Sequence, residues 1–206
     1  MRLSLASSRE QQGLRQYLER LVALDNRAAV RLQSTGMALG VWSGPPFDVV
    51  AVKPVALGRV CELDATVSAQ RLLEGLDAGI DVHLPPSVPG PMWVGLLPPR
   101  KGWEVRGRSD AANVRAAVDS AKFFFRQRAE GVTDRKQLEE IAGDVWERAC
   151  VAEVPVRAAH AADALGLLGP SDGAVIAYAT DSWTRLAVPG GSVAVRRGLL
   201  PQLFVF

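Results

Sequence analysis

Residues 84–103 read LPPSVPGPMWVGLLPPRKGW, and six of the thirteen prolines in the 206-residue chain fall there: Pro85, Pro86, Pro89, Pro91, Pro98 and Pro99. Proline lacks a backbone donor and biases the residue before it toward extended geometry. The stretch therefore predicts an irregular crossing with at most one short strand, at Met92 to Leu97. It separates halves of different character, so the chain is read as a strand-rich subdomain over 1–84, a proline-rich linker over 85–104 and a helical subdomain over 105–206.

Toward the amino terminus from the crossing, Ser7 or Ser8 is placed to cap a helix from Arg9 to about Asp25, with Leu14, Leu18, Leu21 and Val22 at spacings of three and four. Ala28, Val30 and Leu32 then alternate with Arg27, Ala29, Arg31 and Gln33, the period of a half-buried strand. A turn at Ser34 to Gly36 leads to strands at Met37 to Trp42 and Phe47 to Val55, and a fourth strand is predicted at Arg59 to Leu63. Connections this short exclude helical crossovers, so an antiparallel meander follows. Asp64 or Thr66 is read as the cap of a short helix carrying Ala69, Leu72, Leu73 and Leu76, closed by Gly79 before a strand at Ile80 to Leu84.

Beyond the crossing the period changes. Ser109 or Asp110 opens a long helix with Val114, Ala117, Val118, Ala121, Phe124 and Phe125 on one side and Arg115, Asp119, Lys122 and Arg126 on the other. Asp134 and Gln137 resemble a capping box ahead of Leu138, Ile141, Ala142, Val145, Trp146 and Ala149. Pro155 suits the first turn of a third helix through Leu168, closed by Gly169. Ala174 to Ala179, Ser182 to Val188 and Ser192 to Arg197 read as strands, the last two joined by Pro189-Gly190-Gly191. The fold class is α+β: an amino-terminal antiparallel meander with two flanking helices, a proline-rich crossing, and a carboxy-terminal three-helix unit closed by a β-hairpin.

Composition narrows the function. The formal charge is +2, with nine basic against nine acidic residues through Pro98 and fifteen against thirteen after it. Dedicated binders of nucleic acid carry a larger cationic excess, because phosphate neutralisation supplies most of their affinity. Arg9 and Glu10 arrive before any long apolar run, so no signal peptide is read, and no stretch reaches the ~20 apolar residues of a membrane-spanning helix. The expected location is the cytoplasm, with no membrane partner. Cys61 and Cys150 lie far apart outside any CxxC or Cys/His grouping, which predicts reduced, buried thiols and neither a metal site nor a disulfide framework. No cofactor is implied, since GxSxG, HExxH, GxGxxG and the P-loop pattern are all missing.

Four sets of residues carry functional readings. The order helix, helix, helix, hairpin is that of a winged helix, which would make Arg157, His160, Arg185, Arg196 and Arg197 contacts to nucleic acid. Against this, the alanines around Arg157 and His160 leave few side chains able to reach a base edge, and the helix reads as an internal packing element. The second set is a cationic stripe of Arg115, Lys122, Arg126 and Arg128, which the acidic residues from Glu130 to Glu147 are placed to neutralise. The third is the run Leu199 to Phe206, apolar except at Pro201 and Gln202. In that run Leu203, Phe204, Val205 and Phe206 are read as a docking element for a protein partner or a second copy.

Asp81 and His83 share one face of a predicted strand and would serve as an acid/base pair or as part of a metal site, although a surface histidine is the plainer reading. The leading expectation is a non-enzymatic cytoplasmic protein-interaction or scaffold protein. The alternative is a winged-helix-like nucleic-acid-binding regulator. A further alternative is an enzyme whose groups meet only in space.

Overall fold

A computed structural model of the chain describes residues 2–198, in two compact units. Unit 1 comprises 1–46 and 50–97; unit 2 comprises 47–49 and 98–206. The fold is α+β, as the alternation of periods predicts.

In unit 1, β1 (Arg2–Ser4) pairs antiparallel with β6 (Asp81–His83). Between them lie α1 (Ser8–Leu24), β2 (Ala29–Thr35), β3 (Ala38–Ser43), β4 (Val50–Ala56), β5 (Leu63–Ser68) and α2 (Ala69–Gly75). Ser7 caps α1 by accepting from the Glu10 amide. The helix buries Leu14, Tyr17, Leu18 and Leu21. Val30 and Leu32 of β2, Leu39 and Val41 of β3 and Val67 of β5 are buried at alternate positions, which puts one face of the strands in the core. Inside it the Tyr17 hydroxyl and Ser43 Oγ lie 2.6 Å apart, and burial pushes the phenol above its ordinary pKa. Gly36 takes φ +72° in the two-residue turn between β2 and β3, a conformation that favours glycine.

The meander β2–β3–β4 forms as expected, but the fourth strand departs from the reading in both place and partner. It spans Leu63–Ser68 and returns to pair with β2, so the strands run β5–β2–β3–β4. Asp64 and Thr66 are thus strand residues, and Ser68 caps α2 by accepting from the Arg71 amide. Pairing along β2 outweighs the local capping signal at Asp64. The strand predicted at Met92 to Leu97 is instead a 3₁₀ turn over Met92–Gly95, entered from Pro91 and closed by the Val94 amide donating to Pro91 O. Arg31 anchors this turn by donating to Val94 O at 2.5 Å while holding Asp64 through two 2.8 Å contacts.

Unit 2 contains β7 (Glu104–Asp110), α3 (Ala111–Ala129), α4 (Arg135–Trp146), β8 (Ala149–Val151), β9 (Val154–Pro155), α5 (Val156–Ala164), β10 (Ala174–Ala179), β11 (Trp183–Val188) and β12 (Gly191–Arg196). Its sheet strands run β12–β11–β10–β7, all antiparallel. Strand β7 is absent from the sequence reading because most of its side chains are exposed and no apolar alternation marks it. It is the outer strand of this set, where charged side chains are tolerated and discourage further pairing.

Asp110 and Asp134 cap α3 and α4 through the amides of Asn113 and Gln137. Helix α5 stops at Ala164, short of the predicted Leu168. It packs between α3 and strands β11 and β12 with Ala158, Ala159, Ala161 and Ala162 fully buried. Small side chains let a helix lie close on both neighbours. Phe124, placed on the core face by its spacing, is exposed, whereas Phe125 packs against Ala121, Val145 and Val156.

Candidate functional site

Helix α5 presents its first polar residues inward. Arg157 is 5% exposed. Its Nη1 donates to Phe47 O at 3.2 Å and to Asp48 O, and its Nε lies 2.5 Å from Glu147 Oε1. The segment Phe47–Val49, carried to this helix from the β3–β4 connection, is thereby tied down, with Asp48 at φ +51°. One turn on, the His160 ring stacks against Trp146, with centroids 4.9 Å apart at 14°, and lies 4.7 Å from the Phe47 ring. Its Nδ1 is buried without a hydrogen-bond partner. Desolvation, with the Lys122 ammonium, pulls the imidazole down to about 4, against a smaller opposing pull from Asp163. At neutral pH His160 is therefore an uncharged member of an aromatic stack, and Arg157 is a structural tie.

The other three predicted nucleic-acid contacts lie on the sheet side. Arg197 pairs with Glu153 at 2.6 Å, and Glu153 also meets Arg106 at 3.5 Å. Arg196 is exposed at the end of β12, opposite Trp183. Arg185, on β11, lies with its guanidinium carbon 4.2 Å from the Trp103 ring centroid and 4.8 Å from that of Tyr178. The five residues thus divide into two in the α5 layer, one in a surface ion pair, and two that are diagonal neighbours on the sheet face turned away from α5. The sequence reading missed Trp103 and Tyr178 as companions of Arg185. A signal existed, because the short β10–β11 turn sets Tyr178 opposite Arg185 in the ladder.

The cationic stripe on α3 is largely neutralised. Arg115 donates to Gly169 O and lies 3.9 Å from Asp163, Lys122 is 3.3 Å from Asp163, and Arg128 is 2.9 Å from Asp144. Asp81 and His83 are exposed on β6, where His83 Nε2 accepts from Arg2 Nε at 2.9 Å. Cys61 precedes β5, in irregular chain, and both cysteines are half-buried free thiols. Burial pushes the Cys150 thiol up. Among the described residues no group of three or more His, Cys, Asp or Glu could hold a metal ion, and no helix is long and apolar enough to cross a membrane. The docking element Leu203, Phe204, Val205 and Phe206 lies outside the described residues.

Solved structures that resemble the chain include DNA polymerase sliding clamps. The DNA polymerase III subunit beta of Pseudomonas aeruginosa matches with a TM-score of 0.62 at 13% identity, over 98% of this chain and 66% of that one. The Caulobacter crescentus pol III beta matches at 0.60 and 12%, over 98% and 67%. A sliding clamp from Bartonella birtlesii, bound to griselimycin, matches at 0.59 and 11%, over 98% and 66%. The chain therefore spans about two thirds of the length of the clamps it resembles, and at these identities the likeness concerns the fold. No curated protein matches it. Residues 1–95 match the family profile described as Domain of unknown function (DUF8010). A second profile covers 98–200, half of the chain, and on that match the protein belongs to the family described as Domain of unknown function (DUF8185).

Proposed function

We propose that the protein is a non-enzymatic cytoplasmic scaffold that works by holding protein partners or a second copy of itself. The observation that carries this reading is the sliding-clamp architecture, matched along 98% of the chain with a TM-score of 0.62. The surroundings of the sequence-predicted polar residues support it. Arg157 and His160 serve packing, Asp81 and His83 sit on an open strand, and the α3 cations are mostly paired, so no convergent set of catalytic groups is assembled from them. The working elements we assign are the 1–84 and 105–206 subdomains as rigid carriers and Leu203, Phe204, Val205 and Phe206 as the docking element.

The test is removal of Leu203–Phe206, followed by molar mass in solution and by the thermal midpoint. A fall in mass with an unchanged midpoint supports docking to a second copy. A lowered midpoint in a species that is monomeric before and after truncation refutes it.

A second reading has its own support, since the resembling structures are DNA polymerase subunits. Under it the protein is a nucleic-acid binder that uses Arg185, Arg196 and Arg197. The winged-helix version also requires Arg157 and His160, which would have to leave the α5 layer to reach a duplex. A labelled duplex shifted in a salt-dependent manner, and released by neutralising Arg196 and Arg197, supports this reading. No shift at low salt removes it.

A further inference from the structure

We propose that the outward face of the unit 2 sheet is a receptor for acidic protein segments, centred on the guanidinium of Arg185. The site is built from three residues in contact. Tyr178 lies directly opposite Arg185 in the β10–β11 ladder, and Trp103 covers the guanidinium from the segment leading into β7. The indole is itself fixed, because its Nε1 donates to Pro99 O at 2.8 Å. Two aromatic contacts hold the planar cation in place without a carboxylate partner.

The donors of Arg185 are unspent. Arg31, Arg115, Arg128, Arg157 and Arg197 each give an N–H to a carbonyl or carboxylate. Among the described residues Arg185 forms neither a hydrogen bond nor an ion pair, and its Nε is buried without an acceptor. Desolvation already draws its pKa below the ordinary value. A half-dehydrated cation whose N–H groups lack acceptors gains more from an incoming anion than a hydrated one does.

The surroundings carry the same sign. Arg196, opposite Trp183, is the diagonal neighbour of Arg185 on this face, and Arg108, opposite Ile176, lies on it as well. The outward positions of β10, β11 and β12 bear no acidic side chain, and the acidic residue that β7 sets in register with them, Asp110 opposite Ala174, is committed to Asn113 at the cap of α3.

An acidic peptide fits better than a nucleic acid strand for three reasons. The guanidinium already engages Trp103 and Tyr178, which leaves less aromatic face for bases to stack on. An oriented guanidinium matches a carboxylate in two-point contact. A net charge of +2 supplies little of the phosphate attraction on which strand binding depends. Arginine beside tryptophan and tyrosine is also the composition that concentrates binding energy in protein interfaces. The receptor goes beyond the scaffold reading and does not involve the apolar tail, so truncating Leu203–Phe206 leaves its affinity unchanged and the two proposals fail separately.

The test is titration of the full chain with a blocked peptide of three alternating Asp-Leu pairs and, in parallel, with a thymidine hexanucleotide. Binding is read from the indole N–H resonance of Trp103, the Nε–H resonance of Arg185 and calorimetry. The peptide is expected to shift both resonances. Arg185→Lys keeps the charge but loses the two-point contact and should weaken binding tenfold or more. Arg196→Gln should weaken it two- to threefold, and Arg197→Gln, whose arginine is committed to Glu153, should leave it unchanged. If Arg185→Lys lowers the thermal midpoint, the wild-type resonance shifts and the Arg196→Gln affinity decide the matter. Peptide at millimolar concentration that moves neither resonance overturns the proposal, as does a hexanucleotide that moves them at lower concentration than the peptide.

Discussion

Acidification from pH 7.5 to 4.5 should weaken unit 2 through His160 in particular. In the folded chain this imidazole sits between Trp146 and Phe47, with Lys122 and Asp163 as its charged neighbours, and its pKa is about 4. In the unfolded chain an imidazole titrates near ~6.5. The folded state therefore binds its proton less tightly. The neutral stacked form contributes its full stability above pH ~6.5, loses it as pH falls below that value, and has lost nearly all of it below pH ~4. Linkage between those two values gives a loss of about 2.5 kcal/mol at pH 4.5, and partial solvent screening of a half-buried ring reduces it to about 2 kcal/mol. His160→Phe keeps an aromatic ring between Phe47 and Trp146 but removes the proton site. Urea unfolding of wild type and variant at pH 7.5, 6.5, 5.5 and 4.5 cancels the carboxylates common to both. The gap between them should move by about 2 kcal/mol toward the variant as pH falls. Parallel curves across that range, or an NMR titration midpoint for His160 near ~6.5, would refute the reasoning.

Two further outcomes test the packing. Arg157→Met should cost about 2–3 kcal/mol, because it orphans the Phe47 and Asp48 carbonyls and leaves Glu147 without its cation, whereas Arg197→Gln should cost under about 1 kcal/mol at a solvent-exposed pair; denaturant midpoints compare the two. In unit 1, Gly44→Ala brings a Cβ to 2.6 Å from the Trp93 indole, so the ring must move. The expected penalty is about 1–3 kcal/mol with a shifted Trp93 indole N–H resonance, and an unshifted resonance refutes the contact.

Local signals located most of the elements. Ser7, Asp110 and Asp134 each cap the helix they precede, since a short polar side chain satisfies the free amides of a first turn wherever the chain later folds. The strands from Ala174, Trp183 and Gly191 are close to their predicted ranges because alternation and the Pro189-Gly190 turn are also local. Elements without such a pattern were illegible. Strand β7 is charged and exposed, and what makes it a strand is its pairing with β10, 64 to 75 residues away along the chain. The same non-locality returned β5 to β2 over a local capping signal.

Residue types and their periods thus determined the α+β class, the starts of α1, α3 and α4 and the closing β11–β12 hairpin, because each depends on neighbours within a few positions. The tertiary structure alone decided what the arginines do. Along the chain Arg157, Arg185 and Arg197 are equivalent cations. In space one is buried on the carbonyls of Phe47 and Asp48, one lies against two aromatic rings with its donors unspent, and one is paired with Glu153. A guanidinium's role follows from its desolvation and its acceptors, and both are supplied by residues remote in sequence.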